Sequence, residues 1–468
     1  MSEPTGSSSP VAAVAKVAKA AESASAGVSR AGLIGISVGV VAAGAAAGVA
    51  IERLTVGRTM RRRARQELDA AAPYGSLRGR PHTVTAPDGT QLYVELDGTG
   101  WPDPVQVHPE ESRTGRGWFT RKRGENQVDR TGLPGLLAGS GALVGAANRR
   151  SFGAVHESRP PLTVIFCHGY CLAQDSWHFQ RAALREGLRL VFWDQRSHGR
   201  SERSRSYLNG ELASIDQLGG DLRAVIDAVA PEGPIVLVGH SMGGMTVMAL
   251  ADQHPELFGV GAAPAAGGGR VAAVALIGTL AGDWDSVTLG LPAAGAKLLR
   301  RLAPGVVRLL GRQVELVEAT RRLGADLTSV LYRRFSFGTK DVDPAVVRFA
   351  EQLLDATPID VVAEFYPAFS AHEKTAALAT LRAVPTLVLA GTKDLLTPPE
   401  HSETIARELP DAELVLVQDA GHLVMLERPE LVNQRLAALL RQAVEHVGAA
   451  PLPQAVRDLA GADGSPEA

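Results

Sequence analysis

Disulfide chemistry has almost nothing to work with in this chain: Cys167 and Cys171 are the only cysteines among 468 residues. Such a pair builds no disulfide framework and points to a reduced, cytoplasmic setting. The spacing Cys-His-Gly-Tyr-Cys has no second Cys or His pair at zinc-like distance, so no metal site is expected. A surplus of one charge is missing as well. Lys and Arg total 48 against 50 Asp and Glu, a net charge of −2, which removes the general electrostatic case for nucleic-acid binding. Long apolar runs are scarce, with one exception at residues 31–51. What is present is a globular composition, 45% hydrophobic and 21% charged, enough to bury a substantial core in one large domain with additions.

The exception is "AGLIGISVGVVAAGAAAGVAI", which carries no charge and is long enough to span a bilayer as a helix. Its Leu, Ile and Val residues contribute roughly −2 to −5 kcal/mol on an insertion scale, with the glycines and Ser37 counting against them. Gly35 and Gly39, and Gly44 and Gly48, have the small-xxx-small spacing that lets helices approach closely in lipid. Arg53, Arg58, Arg61, Arg62, Arg63 and Arg65 follow the run, against Lys16, Lys19 and Arg30 before it. By the positive-inside rule this predicts a single-pass transmembrane helix with the domain C-terminal to it on the cytoplasmic side of the cell membrane. A cleaved signal peptide and an Ala/Gly-rich soluble helix are the competing readings. Residues 1–30 read as disordered or helical, and 52–81 as a basic juxtamembrane linker.

Residues 82–97 read as two strands joined by a Pro-Asp-Gly turn. Residues 99–160, rich in Gly, Pro and Arg, read as an insertion. Then buried-strand runs alternate with helices: "LTVIFC" (162–167), "LRLVFWD" (188–194), "IVLVG" (235–239) and "VAAVALIG" (271–278). Continuous apolar strands separated by helices predict an α/β fold with a mostly parallel central sheet covered on both faces. From 283 to 378 the pattern is helical only, an all-helical cap inserted after the sixth strand. Strands resume at "PTLVLAG" (385–391) and "ELVLVQ" (413–418), and a helix at about 429–445 closes the domain. The core is thus expected in two parts, 82–282 and 379–447, followed by a disordered tail, 448–468.

Gly239-His240-Ser241-Met242-Gly243 sits between a strand run and a helix run. That is the setting of a nucleophile elbow, where a serine occupies a strained corner and bulky neighbours two positions away would clash. A plain strand–turn–helix corner is the bland alternative. An attacking serine also needs a base, an orienting acid and donors for the oxyanion. His168-Gly169-Tyr170 directly follows the first long strand, so the N–H groups of Tyr170 and Met242 can meet one oxygen. "GTKDLLTPPE" offers Asp394 and "DAGHLVMLERP" offers His422, giving the chain order Ser–acid–His. All these loops belong to the carboxyl ends of parallel strands, where open α/β sheets place their sites. Asp283, after the strand ending at Gly278, is a second candidate acid. His198 and His240 lie beside these motifs, and His254, His372 and His401 read as surface or cap residues.

From about residue 80 to 445, outside the insertion, the chain resembles the α/β-hydrolase fold family. The likeness is to its esterase, lipase and non-haem haloperoxidase-like branch. "HGYCLAQDSW", "DQRSHGRS", "GHSMGG", "GTKDLLTP" and "DAGHLVMLERP" match that family's motifs in order. The resemblance implies Ser241 as nucleophile, His422 as general base and later acid, and Asp394 as its orienting carboxylate. It also implies that His198 and His240 support loops and do not act as the base. Tyr170, Trp177 and Met242 would line the substrate pocket, although core packing suits Trp177 equally. Ser197 stands where the family's Asp-x-Arg-Gly-His-Gly-x-Ser loop has glycine. The expected activity is hydrolysis of a small-molecule or lipid-like ester with no metal or organic cofactor. Perhydrolase or haloperoxidase-like, thioesterase and lactonase chemistry share this constellation, and a non-catalytic binding protein is the reading outside enzymes. A serine at the elbow argues against dehalogenase and epoxide-hydrolase chemistry, which runs through aspartate there.

Overall fold

The computed structural model describes residues 74–101, 160–259, 269–292 and 325–461, with a few isolated positions between 294 and 305. The segment 31–51 and most of the 99–160 insertion lie outside the described residues. The strands are β1 (Arg80–Thr85), β2 (Gln91–Gly98), β3 (Thr163–Cys167), β4 (Arg189–Trp193), β5 (Ile235–His240), β6 (Val271–Ile277), β7 (Thr386–Gly391) and β8 (Glu413–Val417). They form one sheet of eight strands in the order β1-β2-β4-β3-β5-β6-β7-β8. β1 pairs antiparallel with β2 and β2 antiparallel with β4, while every later pairing is parallel.

Side chains alternate across a strand, and the inner strands bury both faces. Val164, Phe166, Leu190, Phe192, Val236 and Val238 point to one core. Their neighbours Ile165, Cys167, Val191, Trp193, Ile235 and Leu237 point to the other. Helices α1 (His178–Leu184), α2 (Ile215–Val229) and α3 (Met242–Gln253) fill the connections between the early strands. α2 shows why: Ser214 caps it by accepting from Gln217 N (3.1 Å), and Leu218, Leu222, Val225 and Ile226 fall on one buried stripe.

After β6 come α4 (Ala325–Ser336), α5 (Pro344–Asp355) and α6 (Ile359–Ser370), with no strand among the described residues before β7. α7 (Pro399–Glu408) joins β7 to β8, and α8 (Pro429–Val447) follows. The chain then turns at Gly448 into α9 (Gln454–Gly461), correcting the expectation of a disordered tail as far as Gly461. Leu452 and Val456 are buried in the same core as Leu440 and Ala443, which supplies the ordering that a composition rich in Ala, Gly and Pro does not advertise. At the other end, Tyr74 already packs against Phe179 and against Phe349 of α5, so the basic linker ends before residue 81.

Candidate active site

The register brings the functional loops to one edge. Cys167 pairs with Trp193 and with Gly239, and His240 pairs with Ile277. The loops after β3, β4, β5 and β6 therefore leave the sheet side by side, and Gly391 and Val417 end β7 and β8 on the same side.

Ser241 stands between β5 and α3 at φ 51°, ψ −119°. This is strained backbone for a residue with a side chain, and its surroundings hold it there. Its N–H donates to Ile277 O (2.9 Å), and its carbonyl accepts from Thr279 Oγ1 (2.8 Å) and from Gly244 N (2.9 Å). The flanking glycines are required by space. A Cβ on Gly239 would lie 2.5 Å from Gly243 O, and one on Gly243 would lie 2.1 Å from Cys167 O. The serine corner thus rests directly on the end of β3.

His422 and Asp394 meet at the far side of β6. His422 Nδ1 donates to Asp394 Oδ2 at 2.7 Å. Asp394 Oδ2 also accepts from Thr397 Oγ1 (2.8 Å), and Oδ1 accepts from Leu396 N (2.8 Å) and Thr397 N (2.9 Å). Four donors fit an ionised carboxylate, which is an acceptor only. With Nδ1 donating to Asp394, Nε2 is the ring nitrogen left to accept, and among the described residues it makes no hydrogen bond, to Ser241 Oγ or to any other group. Asp283, the other candidate acid, is exposed and caps a short turn, where its carbonyl accepts from Ser286 Oγ (2.9 Å).

The loop after β3 is set by His168, whose side chain the motif does not flag. Gln195 N–H donates to His168 Nε2 (2.9 Å), so the ring's proton sits on Nδ1, which donates to Gly169 O (2.8 Å). Burial pushes the imidazole down to about 4, keeping it neutral. Gln195 also donates to His168 O (2.5 Å) and accepts from Thr246 Oγ1 (2.8 Å) of α3. In a trans peptide the carbonyl and the following N–H point in opposite directions. Holding Gly169 O toward the histidine ring therefore turns the Tyr170 N–H away from it. Among the described residues no backbone acceptor takes the N–H of Tyr170 or of Met242.

Tyr170 and Met242 belong to an apolar cluster with Leu280, Val287, Val361, Phe365 and Phe369, which places α6 over the elbow. Tyr170 Oη donates to Val362 O of that helix (2.6 Å). Trp177 lies elsewhere than expected for a pocket wall. The short turn Gln174–Trp177 aims it inward, fully buried, against Phe166 and edge-on to His240. Ser197 keeps the left-handed backbone of the glycine it replaces (φ 65°) and uses its side chain to tie it down. Its Oγ donates to Glu364 Oε1 of α6 (2.9 Å) and accepts from Ser204 N (2.9 Å). Arg203 completes this link, reaching Glu364 (3.0 Å) and Asp360 (2.6 Å). His198 is buried and pushed down to about 3, with its ring edge on Phe365. His372 is buried as well, bonded to Leu280 O (3.1 Å), whereas His254 sits in a surface pairing with Glu256.

Against known proteins, residues 163–429 match the model of the family described as alpha/beta hydrolase fold. The dihydrolipoyllysine-residue acetyltransferase component of the acetoin cleaving system of Pseudomonas putida is 28% identical over 305 residues, 64% of this chain and 69% of that protein. A monoacylglycerol lipase of Mycolicibacterium smegmatis is 30% identical over 156 residues, 32% of this chain and 49% of the lipase. Among solved structures, a thermophilic esterase from Thermogutta terrifontis with malate bound aligns with TM-score 0.50 and 22% identity, over 78% of this chain and 98% of the esterase. At that identity the likeness concerns the fold alone. The family match spans more than half of the chain and agrees with the sheet: this protein belongs to the alpha/beta hydrolase fold family.

Proposed function

We propose that the protein is a serine hydrolase that cleaves carboxylic esters, lipid-like acyl esters included. The observation that carries this reading is the buried Asp394–His422 hydrogen bond of 2.7 Å on the same sheet edge as a serine held at φ 51°. Asp394 orients the ring and stabilises the imidazolium that forms. His422 Nε2 takes the proton of Ser241 Oγ as the oxygen adds to the ester carbonyl. The N–H groups of Tyr170 and Met242 receive the negative oxygen, each contributing about 3 kcal/mol in the transition state. The tetrahedral species collapses to an acyl-enzyme as His422 returns its proton to the departing alcohol. Water, deprotonated by the same nitrogen, then releases the acid and frees Ser241.

The apolar cluster of Met242, Phe365 and Phe369 supports an acyl group as the part recognised beneath the cap. Similarity to a monoacylglycerol lipase supports the same class. A fluorophosphonate probe is the direct test. The wild type should label and Ser241→Ala should not, while equal labelling of the two would overturn the reading. A panel of esters of graded chain length then ranks the acyl group.

Membrane anchoring by residues 31–51, with the catalytic domain on the cytoplasmic side, belongs to the same proposal and rests on the charge pattern. Among the described residues no helix is long and apolar enough to cross a membrane. Alkaline carbonate extraction of membranes containing the full-length chain should leave it in the pellet. Recovery in the soluble fraction would remove the anchor from the proposal.

A further inference from the structure

His240, the residue before Ser241, is fully buried and has no place in the chemistry described above. Its ring nevertheless touches each part of the site. Nε2 lies 2.9 Å from the backbone carbonyl of His422, and the two imidazole rings are 4.8 Å apart. On its other side the ring presses on the loop that carries Tyr170, since a Cβ on Gly169 would lie 2.6 Å from His240 Nδ1. Gly278, directly after β6, is the third neighbour, where a Cβ would lie 3.6 Å from Nε2. Covalently, His240 is the last residue of the strand that delivers the serine.

The protonation of the ring follows from its partners. Burial holds the imidazole neutral, well below its ordinary range. A neutral ring has one N–H, and the carbonyl of His422 accepts only from a donor, so the proton sits on Nε2. Nδ1 then faces Gly169 and has no hydrogen-bond partner among the described residues. A buried polar atom left bare is costly, and an apolar residue at this position would avoid that cost. What only a donor supplies is the bond to the His422 carbonyl.

We infer that His240 is a positioning residue: its Nε2–H fixes the backbone of the base-carrying loop relative to the serine and oxyanion loops. The inference rests on the reading of Ser241 and His422 as nucleophile and base. It predicts a defect in turnover more than in binding, because the misplaced atom belongs to the general base and not to the substrate pocket. Small displacements of such a group cost up to about 100-fold.

The test compares His240→Leu, which keeps bulk and removes the donor, with His240→Gln, which keeps an N–H at similar reach. Both are measured beside the wild type and Ser241→Ala with one ester, together with melting temperatures. His240→Leu should lose kcat about 10- to 100-fold with KM within about two-fold, and His240→Gln should return to within about five-fold of wild type. Wild-type kcat in His240→Leu overturns the inference. So do equal losses in both variants, or losses that track equal falls in melting temperature. If instead Ser241→Ala keeps its turnover, the ester-hydrolase reading itself fails, which the two His240 variants cannot mimic.

Discussion

The loops at the carboxyl edge of the sheet and the helical cap above them are built by different rules. At the edge, position is dictated by backbone. Gly243 has no room for a Cβ against Cys167 O, Ser241 is fastened at both its N–H and its carbonyl, and Asp394 is saturated by two amides, a hydroxyl and a histidine. In the cap, position is dictated by side chains. α6 is held by apolar packing of Val361, Phe365 and Phe369 and by four polar links: Tyr170 to Val362, Ser197 to Glu364, Arg203 to Glu364, and Arg203 to Asp360. A backbone constraint admits few residue types at one spacing. A side-chain constraint admits many. On the proposed reading, the edge would carry the chemistry and the cap the choice of substrate.

The largest effects should come from breaking the edge. Asp394→Asn keeps the shape of the carboxylate but disturbs the tautomer and charge that His422 needs, so kcat should fall about 10⁴-fold with KM little changed. Steady-state kinetics on one ester checks it, and a loss under ten-fold would move the orienting role elsewhere. Gly243→Val tests the steric half. With Cys167 O only 2.1 Å from where a Cβ would be, the elbow cannot form without moving β3. A loss of about 4 kcal/mol or more is expected from denaturant unfolding, or no folded protein at all. The matching change in the cap, Leu331→Ala at an exposed position, should stay within about 0.5 kcal/mol.

Acid should weaken the edge as well. Burial pushes His168 down to about 4 and His198 down to about 3, while in the unfolded chain both titrate near the usual 6.5. Above that value both states are neutral and stability is full. As pH falls from about 6.5 toward 4, the unfolded chain binds protons that the native one refuses, so stability declines over that window, on the order of 2 kcal/mol per histidine by pH 5. Unfolding free energies at pH 7.5 and 5 should show the drop, and His168→Gln should make it shallower. A flat profile would mean these rings accept protons in the native state.

The same division explains what could be read from residues alone. The six strands from β3 to β8 are legible as apolar runs between turn signals, while β1 and β2, which carry polar residues, are legible through the Pro-Asp-Gly turn between them. Ser241, Asp394 and His422 stood out because each sits in a short motif directly after a strand. The side chains that set those residues were not legible: His168, Gln195, Thr246 and Thr279 act through single hydrogen bonds across the fold, which no spacing records. Trp177 stays open between pocket and core in the sequence for a related reason, since an aromatic in a loop after the oxyanion segment can face either way, and in the fold it is the core that takes it. α9 was missed because its few core contacts, Leu452 and Val456, lie in a stretch that otherwise reads as coil. Of the cap, the helical character was plain and the wiring was not.

That wiring gives smaller expected effects than the edge, and the most informative about the comparison. Glu364 is buried in α6, and its surroundings raise its carboxyl above the ordinary range because desolvation outweighs Ser197 and Arg203. Glu364→Gln keeps the volume and can still accept from Ser197, but gives up the charged contact with Arg203, which retains Asp360. Stability should fall by about 1–2 kcal/mol. Because α6 roofs Met242 while Asp394 and His422 are fastened independently, KM for the longest ester hydrolysed should rise several-fold with kcat nearly unchanged. If kcat falls instead and KM holds, the cap reaches the chemistry through Tyr170, whose hydroxyl bonds Val362 and whose N–H is the proposed oxyanion donor. Tyr170→Phe separates these cases. It cuts that tie without touching the N–H, and it should leave KM and kcat as they are in wild type only if edge and cap are as independent as their construction suggests.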